Sequence, residues 1–131
     1  MKRYIKSNDN HDEWFDAFDV VKNPNTSAEV LDDYANHWSV QIRAKVADHP
    51  NTAPETLLKL ISDRSGWVSS RASLNKKLTP ELLTAFAESD DPKIRWQVAN
   101  TSKTPKDTLE KLSQDKYKKI RDTAAKHLRF K

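Results

Sequence analysis

Residues 42–67 read IRAKVADHPNTAPETLLKLISDRSGW, and the chain restates these 26 residues from end to end. Ile42, Val68, Ile94 and Ile120 stand 26 residues apart, and so do Leu31, Leu57, Leu83 and Leu109. A third column reads Tyr34, Leu60, Phe86 and Leu112, and a fourth Val20, Val46, Ala72, Val98 and Ala124. Apolar columns that share one period of this size predict a solenoid, because no single unit can bury its own apolar face.

Within the quoted unit, Ile42, Val46 and Ala47 sit at i, i+4 and i+5, on one face of a first helix over 42–48. His49, Pro50 and Asn51 stop it, since proline cannot continue the hydrogen-bond ladder. A second helix is expected to open at Thr52, with Glu55 completing a capping box and Pro54 in the first turn. Leu57, Leu58, Leu60 and Ile61 form its inward face. The other copies follow suit: Thr26 with Glu29, Thr79 before Pro80, and Thr104 before Pro105. The first helices have room for only about two turns, so part of each is expected to be 3₁₀.

Polar residues keep the same period. Asp63 and Asp115 precede Val68 and Ile120 by five residues, and Arg43, Arg95 and Arg121 share a column that Ser69 breaks. A charge that recurs with the fold period belongs to the fold. The expectation is that each Asp caps the next short helix and pairs with an Arg beside it.

This grammar resembles the variant leucine-rich repeat family, close kin of HEAT repeats. The resemblance rests on IRAKVADHPNTAPETLLKLISD (42–63), VSSRASLNKKLTPELLTAFAESD (68–90) and IRWQVANTSKTPKDTLEKLSQD (94–115), and it covers residues 16–128. It implies an all-α, right-handed α-solenoid of about four 26-residue two-helix repeats. It also implies binding to another macromolecule, as related solenoids mostly do. One member of the variant family carries an N-terminal iron–sulfur module, which a chain without cysteine does not share. Some HEAT-like proteins are glycosylases of alkylated DNA bases. They are longer, and no residue here matches their chemistry.

The expected layout is a single α-solenoid domain over 1–131. Residues 1–10 are a loose lead-in and 11–41 an N-terminal capping repeat. Residues 42–67, 68–93 and 94–119 are repeats, and 120–131 a C-terminal half repeat. Trp14, Phe15, Phe18 and Val21 give the opening helix a bulky stripe, as a solenoid end requires. Leu128 and Phe130 are expected to close the other end. The middle repeat is the most degenerate, with Lys76 where its neighbours have Pro50 and Ser102, and Leu78 in a threonine column.

Apolar residues make up 36% of the 131, as a thin, surface-rich solenoid would have, and a single glycine argues against tight hairpins. The lack of cysteine excludes disulfides and thiolate metal sites and fits a reducing cytoplasm. No apolar run reaches a membrane span, and MKRYIKSNDN lacks the apolar core of a signal peptide. Charge is segregated. Residues 8–33 hold eight acids and one base, a net of −7, whereas residues 116–131 hold seven bases and one acid, a net of +6. Solvated ends, two docking surfaces of opposite sign, and head-to-tail self-association all fit this pattern.

Catalytic signatures are absent. His11, His37, His49 and His127 show no metal-ligand spacing, and there is neither a glycine-rich phosphate loop nor a nucleophile elbow. His49 and His127 read as turn residues. Asp90-Asp91 before Pro92 reads as a capping turn. No catalytic residue, metal or cofactor is expected. The strongest functional signal is on the first helices. If 42, 46 and 47 face inward, then 41, 44, 45 and 48 face out. Carried forward by the period, those columns hold Trp67, Arg71 and Leu74, then Lys93, Trp96, Gln97 and Asn100, then Lys119, Asp122, Thr123 and Lys126. Trp67, Arg71, Leu74, Lys93, Trp96 and Gln97 are the expected binding residues, with inter-repeat packing as the rival account of the tryptophans. Trp38, in a loop column, is expected to pack. The sequence thus points to a non-enzymatic module that binds another macromolecule, foremost a protein. Nucleic-acid binding through the basic, tryptophan-bearing face is the alternative. A repair enzyme on a HEAT-like scaffold ranks below both.

Overall fold

The computed structural model describes residues 11–131, and among these residues the fold is all-α, with nine helices and no strand. The helices are α1 His11–Lys22, α2 Ala28–Tyr34, α3 Val40–Asp48, α4 Pro54–Ile61, α5 Gly66–Leu74, α6 Pro80–Phe86, α7 Pro92–Ala99, α8 Lys106–Leu112 and α9 Lys118–Leu128. The expected lead-in lies outside the described residues. None of the described helices is long and apolar enough to cross a membrane. The chain forms two compact units, one within Met1–Lys77 and the other Leu78–Lys131, so the division falls inside the degenerate 68–93 repeat.

In the first unit α3 packs against α1, α2, α4 and α5, and α4 against α5. In the second, α7 packs against α6, α8 and α9, and α8 also against α9. The repeat columns supply both cores. Leu31, Leu57, Leu83 and Leu109 are all fully buried, as are Val46, Ala72, Val98 and Ala124. Each such leucine contributes about 2 kcal/mol by leaving water, so a column rather than a single residue holds a unit together. Val20, Phe86 and Ile94 are only half-buried.

The first helices are α-helical throughout, eight to eleven residues long from α3 onward, without the expected 3₁₀ segments. Their anchors lie outside the two turns that were counted: α3 starts at Val40 because Ser39 caps it, accepting from the Ile42 N–H.

The expected threonine caps divide into two adjacent columns. Residues 27, 53, 79 and 105 are the N-caps of the second helices. Ser27 and Thr79 accept from the Val30 and Leu82 N–H groups, whereas Ala53 and Pro105 make no side-chain cap. Thr26, Thr52 and Thr104 stand one residue earlier and do something else. Their hydroxyls donate backward to the carbonyls of Val20, Val46 and Val98, at 2.5, 2.6 and 2.7 Å. They close the first helix instead of opening the second, so Thr52 with Glu55, like Thr26 with Glu29, is not a capping box. In the degenerate repeat this position is Leu78, fully buried and without a hydroxyl.

Hydrogen bonds stitch successive repeats of the first unit. His49 Nε2 donates to the Asn23 carbonyl at 2.8 Å while Nδ1 accepts from the Asn51 N–H at 3.0 Å. The ring is therefore the Nε2–H tautomer. One period on, Asn75 repeats both moves: its amide donates to the Ala47 and His49 carbonyls, and its Oδ1 accepts from the Lys77 N–H. This is the turn role expected for His49, with a bond to the preceding repeat added. Of the side chains expected to cover the two ends, Val21 is buried and Trp14, Phe18 and Leu128 are half-buried, but Phe15 and Phe130 are exposed.

Candidate functional site

The expected binding residues fall on two helices, one in each unit. Trp67, Arg71 and Leu74 lie on α5; Lys93, Trp96 and Gln97 lie on α7. On α5 the spacing 67, 71, 74 is i, i+4, i+7, a single outward stripe. Trp67 is 49% exposed and Leu74 77%, the latter far above what an apolar side chain shows in a packed helix. Val68 and Ala72, on the opposite side, are fully buried and fix the helix's rotation.

Arg71 holds the middle of the stripe. Its guanidinium lies 5.6 Å from the centre of the Trp67 ring and bonds both oxygens of Asp48, at 3.0 and 3.2 Å. Asp48 closes α3, so the pair ties α5 to the first helix of the preceding repeat. The Arg71–Asp48 pair also separates two grooves. One, about 440 Å³, is lined by Asp48, Pro50, Arg71, Leu74, Asn75 and two lysines. The other, about 390 Å³, is lined by Trp14, Phe18, Lys45, Asp48, Trp67 and Arg71. Trp14 stacks on Phe18 with ring centres 5.2 Å apart, and its indole N–H donates to the Ser39 hydroxyl. That wall is pinned at both ends.

On α7 the outcome is mixed. Lys93 is exposed and Trp96 half-buried, but Gln97 is buried, which corrects its place among the surface residues. Its column holds exposed Lys45 and half-buried Arg71, whereas Gln97 is enclosed together with its neighbours Val98 and Ala99. Ala44 is likewise buried, although in the same column Ser70 and Asp122 are exposed and Trp96 is half-buried. Trp96 donates its indole N–H to the Thr123 hydroxyl at 3.2 Å, and the Lys119 ammonium lies 4.9 Å from its ring centre. Together with Pro92, Lys93, Tyr117, Lys119 and Ile120 it lines a third groove of about 400 Å³ between α7 and α9. Trp96 thus packs against the next repeat and forms part of a groove wall at once. Trp38, expected to pack, is 46% exposed.

Periodicity missed Tyr117, Trp14 and Phe18. Tyr117 sits in the turn before α9, outside the first-helix columns, yet it is 46% exposed and flanked by Arg95 and Lys116. Its aromatic type in a run of lysines was the available signal.

Electrostatics around these grooves is structural in origin. The Arg95 fork beside Asp115 holds that carboxyl below the usual aspartate range, and Arg95 is raised in turn. Asp63 is pushed up by burial, but its bonds to Arg43 and to the Ser65 N–H outweigh that and leave it lowered. Burial depresses Lys103, whose ammonium donates to the Leu78 carbonyl at 2.9 Å. Among the described residues no three His, Asp or Glu side chains converge to hold a metal ion. The chemistry the grooves can offer is apolar burial, ring stacking and cationic contact. Comparison with family models, with curated proteins and with solved structures finds no match to this chain.

Proposed function

We propose that this chain is a non-catalytic α-solenoid repeat module, of the variant leucine-rich repeat or HEAT-like kind, that binds another protein through the outward face of α5. The 26-residue columns favour the repeat architecture, each column filling the same core position from one copy to the next. The observation that carries the binding reading is the α5 stripe. Trp67 and Leu74 leave large apolar surfaces in water, with Arg71 between them and a groove on either side. Tryptophan and arginine are the side chains most enriched among those that dominate protein interfaces. An apolar stripe of this kind rimmed by Lys45, Lys76 and Lys77 is what a partner can desolvate at little ordering cost.

The test compares the wild-type chain with Trp67→Ala/Leu74→Ala as immobilised baits in lysate of the source cell. Trp38→Ala, which removes an equally exposed tryptophan elsewhere, is the control. A protein retained by wild type and by Trp38→Ala but lost from the double variant is the expected result. Retention unaffected by the double substitution removes α5 from the account. Salt-sensitive binding of single-stranded or duplex DNA, with no protein retained, replaces this reading by the nucleic-acid one.

A further inference from the structure

We propose that the groove between α7 and α9 receives α1 of a second copy of this chain, with Phe15 as the inserted side chain. The groove is already formed. Trp96 is fixed by its bond to Thr123, Ile120 is buried beneath, and Pro92 and Tyr117 complete an apolar wall around about 400 Å³, room for one aromatic ring. Its rim is cationic. Lys93 and Lys119 line it, and the Lys116 ammonium lies 5.6 Å from the Tyr117 ring centre. No carboxylate of the described residues forms an ion pair with any of these three lysines. The nearby Asp122 is engaged by Lys118, and Asp115 by Arg95.

The chain itself carries the complement. On α1, Ala17 and Val21 are buried and Trp14 stacks on Phe18, which leaves Phe15 turned to solvent at 58% exposure. Asp16 and Asp19 flank it, both exposed, and among the described residues the ion pair of Asp19 is a loose one to Lys22 at 3.9 Å. Phe15 and Asp19, four apart, share a helix face. An exposed aromatic ring between carboxylates therefore meets an apolar groove rimmed by ammonium groups that form no salt bridge among the described residues. The wider charge agrees, −7 over residues 8–33 against +6 over residues 116–131. Desolvating the ring supplies attraction, and the opposite charges supply orientation and exclude the reverse docking of two like surfaces. The contact is heterologous, so association grows beyond a dimer as concentration rises unless a ring closes. An unrelated acidic partner or a single-stranded nucleic acid would also be drawn to lysine and exposed rings. The second copy is favoured because both complementary surfaces are present on this chain.

The test is sedimentation velocity of the full chain over a concentration series up to about 1 mM, at low and at high salt. Wild type is expected to associate with concentration at low salt and to dissociate at high salt. Asp16→Lys/Asp19→Lys alone and Lys93→Glu/Lys119→Glu alone are each expected to weaken association at least tenfold. Mixed one to one they associate again, since each supplies the intact surface the other has lost. Phe15→Ala weakens association without changing helicity by circular dichroism. A wild-type chain monomeric throughout at low salt overturns the proposal, and so does association that survives both charge reversals. A monomeric chain that nonetheless binds oligothymidylate, with loss on Lys93→Glu/Lys119→Glu, assigns the groove to nucleic acid and overturns it equally. Trp67→Ala/Leu74→Ala is expected to self-associate as wild type does, so this result and the α5 result fail independently.

Discussion

Arg43 grips Asp63, twenty residues downstream, through two guanidinium bonds of 2.8 and 3.2 Å, and Arg95 holds Asp115 at the same separation through bonds of 2.8 and 3.3 Å. The partner is not the neighbouring arginine but the one on the first helix of the same repeat. The remaining guanidinium nitrogen of Arg43 donates to the His37 and Trp38 carbonyls, and that of Arg95 to the Ser89 carbonyl. Each aspartate also accepts an N–H from two residues on, Ser65 or Tyr117. One arginine thus ties two successive inter-helix turns to a helix.

Arg43 and Asp63 side chains are 4% and 8% exposed, so removing one leaves the other charged and enclosed. Arg43→Ala is expected to lower the stability measured by urea unfolding by about 3 kcal/mol. Arg43→Lys should recover little of it, because an ammonium cannot form the fork and reach two carbonyls together. Full stability in the lysine variant would mean that the pair acts through charge alone.

Acid should unfold the protein through the same residues. Asp63 and Asp115 have folded values below the ordinary 3.8. Their stabilisation is therefore complete above about pH 5 and is lost as pH falls below 3.8 through the folded values. His127 acts higher. Burial, with Lys126 and Lys131 nearby, lowers it from 6.5, so the unfolded chain takes up that proton first and stability begins to fall as pH drops through 6.5. Urea midpoints against pH should show a shallow limb that His127→Gln removes and a steeper one that Asp63→Asn/Asp115→Asn flattens. A profile level down to pH 3.8 in wild type would contradict the His127 assignment.

The threonines offer a sharper test of the repeat's chemistry. Thr52 is fully buried, and Thr52→Val would leave the Val46 carbonyl without its 2.6 Å donor, at an expected cost of about 1–2 kcal/mol. The reverse change, Leu78→Thr, restores the repeat pattern but removes a fully buried leucine. It is expected to destabilise by about 1–2 kcal/mol, because lost apolar burial exceeds one regained hydrogen bond. A stabilised Leu78→Thr would show that the repeat consensus outweighs local packing here.

What the sequence disclosed follows from what a period can carry. Leu57 recurs as Leu31, Leu83 and Leu109 because every copy fills the same core position, so both cores and the helix order were legible. Charge columns were legible as structure, and even their gaps agree. Ser69 replaces the arginine and Ser89, twenty residues on, replaces the aspartate, so both charges disappear together. Pair identity was not legible, since Arg64 lies beside Asp63 in sequence while Arg43 meets it through the turn. Nor was the difference between Thr26/Thr52/Thr104 and Thr79, because a one-residue offset decides which helix a hydroxyl serves. Gln97 was misplaced for a related reason. A column predicts orientation on its own helix, whereas exposure also depends on which side chains of other helices lie over that position, and these differ between Lys45 and Gln97.

Trp67 and Trp96 make the last distinction measurable. Both were expected to be surface residues, but Trp67 touches solvent over half its area while Trp96 is half-buried, bonded to Thr123 and covered by Lys119. Trp96→Ala should cost about 2–3 kcal/mol in urea unfolding, since it empties the α7–α9 groove wall and leaves the Thr123 hydroxyl one partner short. Trp67→Ala should stay within about 1 kcal/mol, because the Arg71–Asp48 pair is exposed and survives the loss of the ring. Equal costs would place Trp67 in the core of its unit and leave Leu74 alone as the exposed apolar anchor of α5.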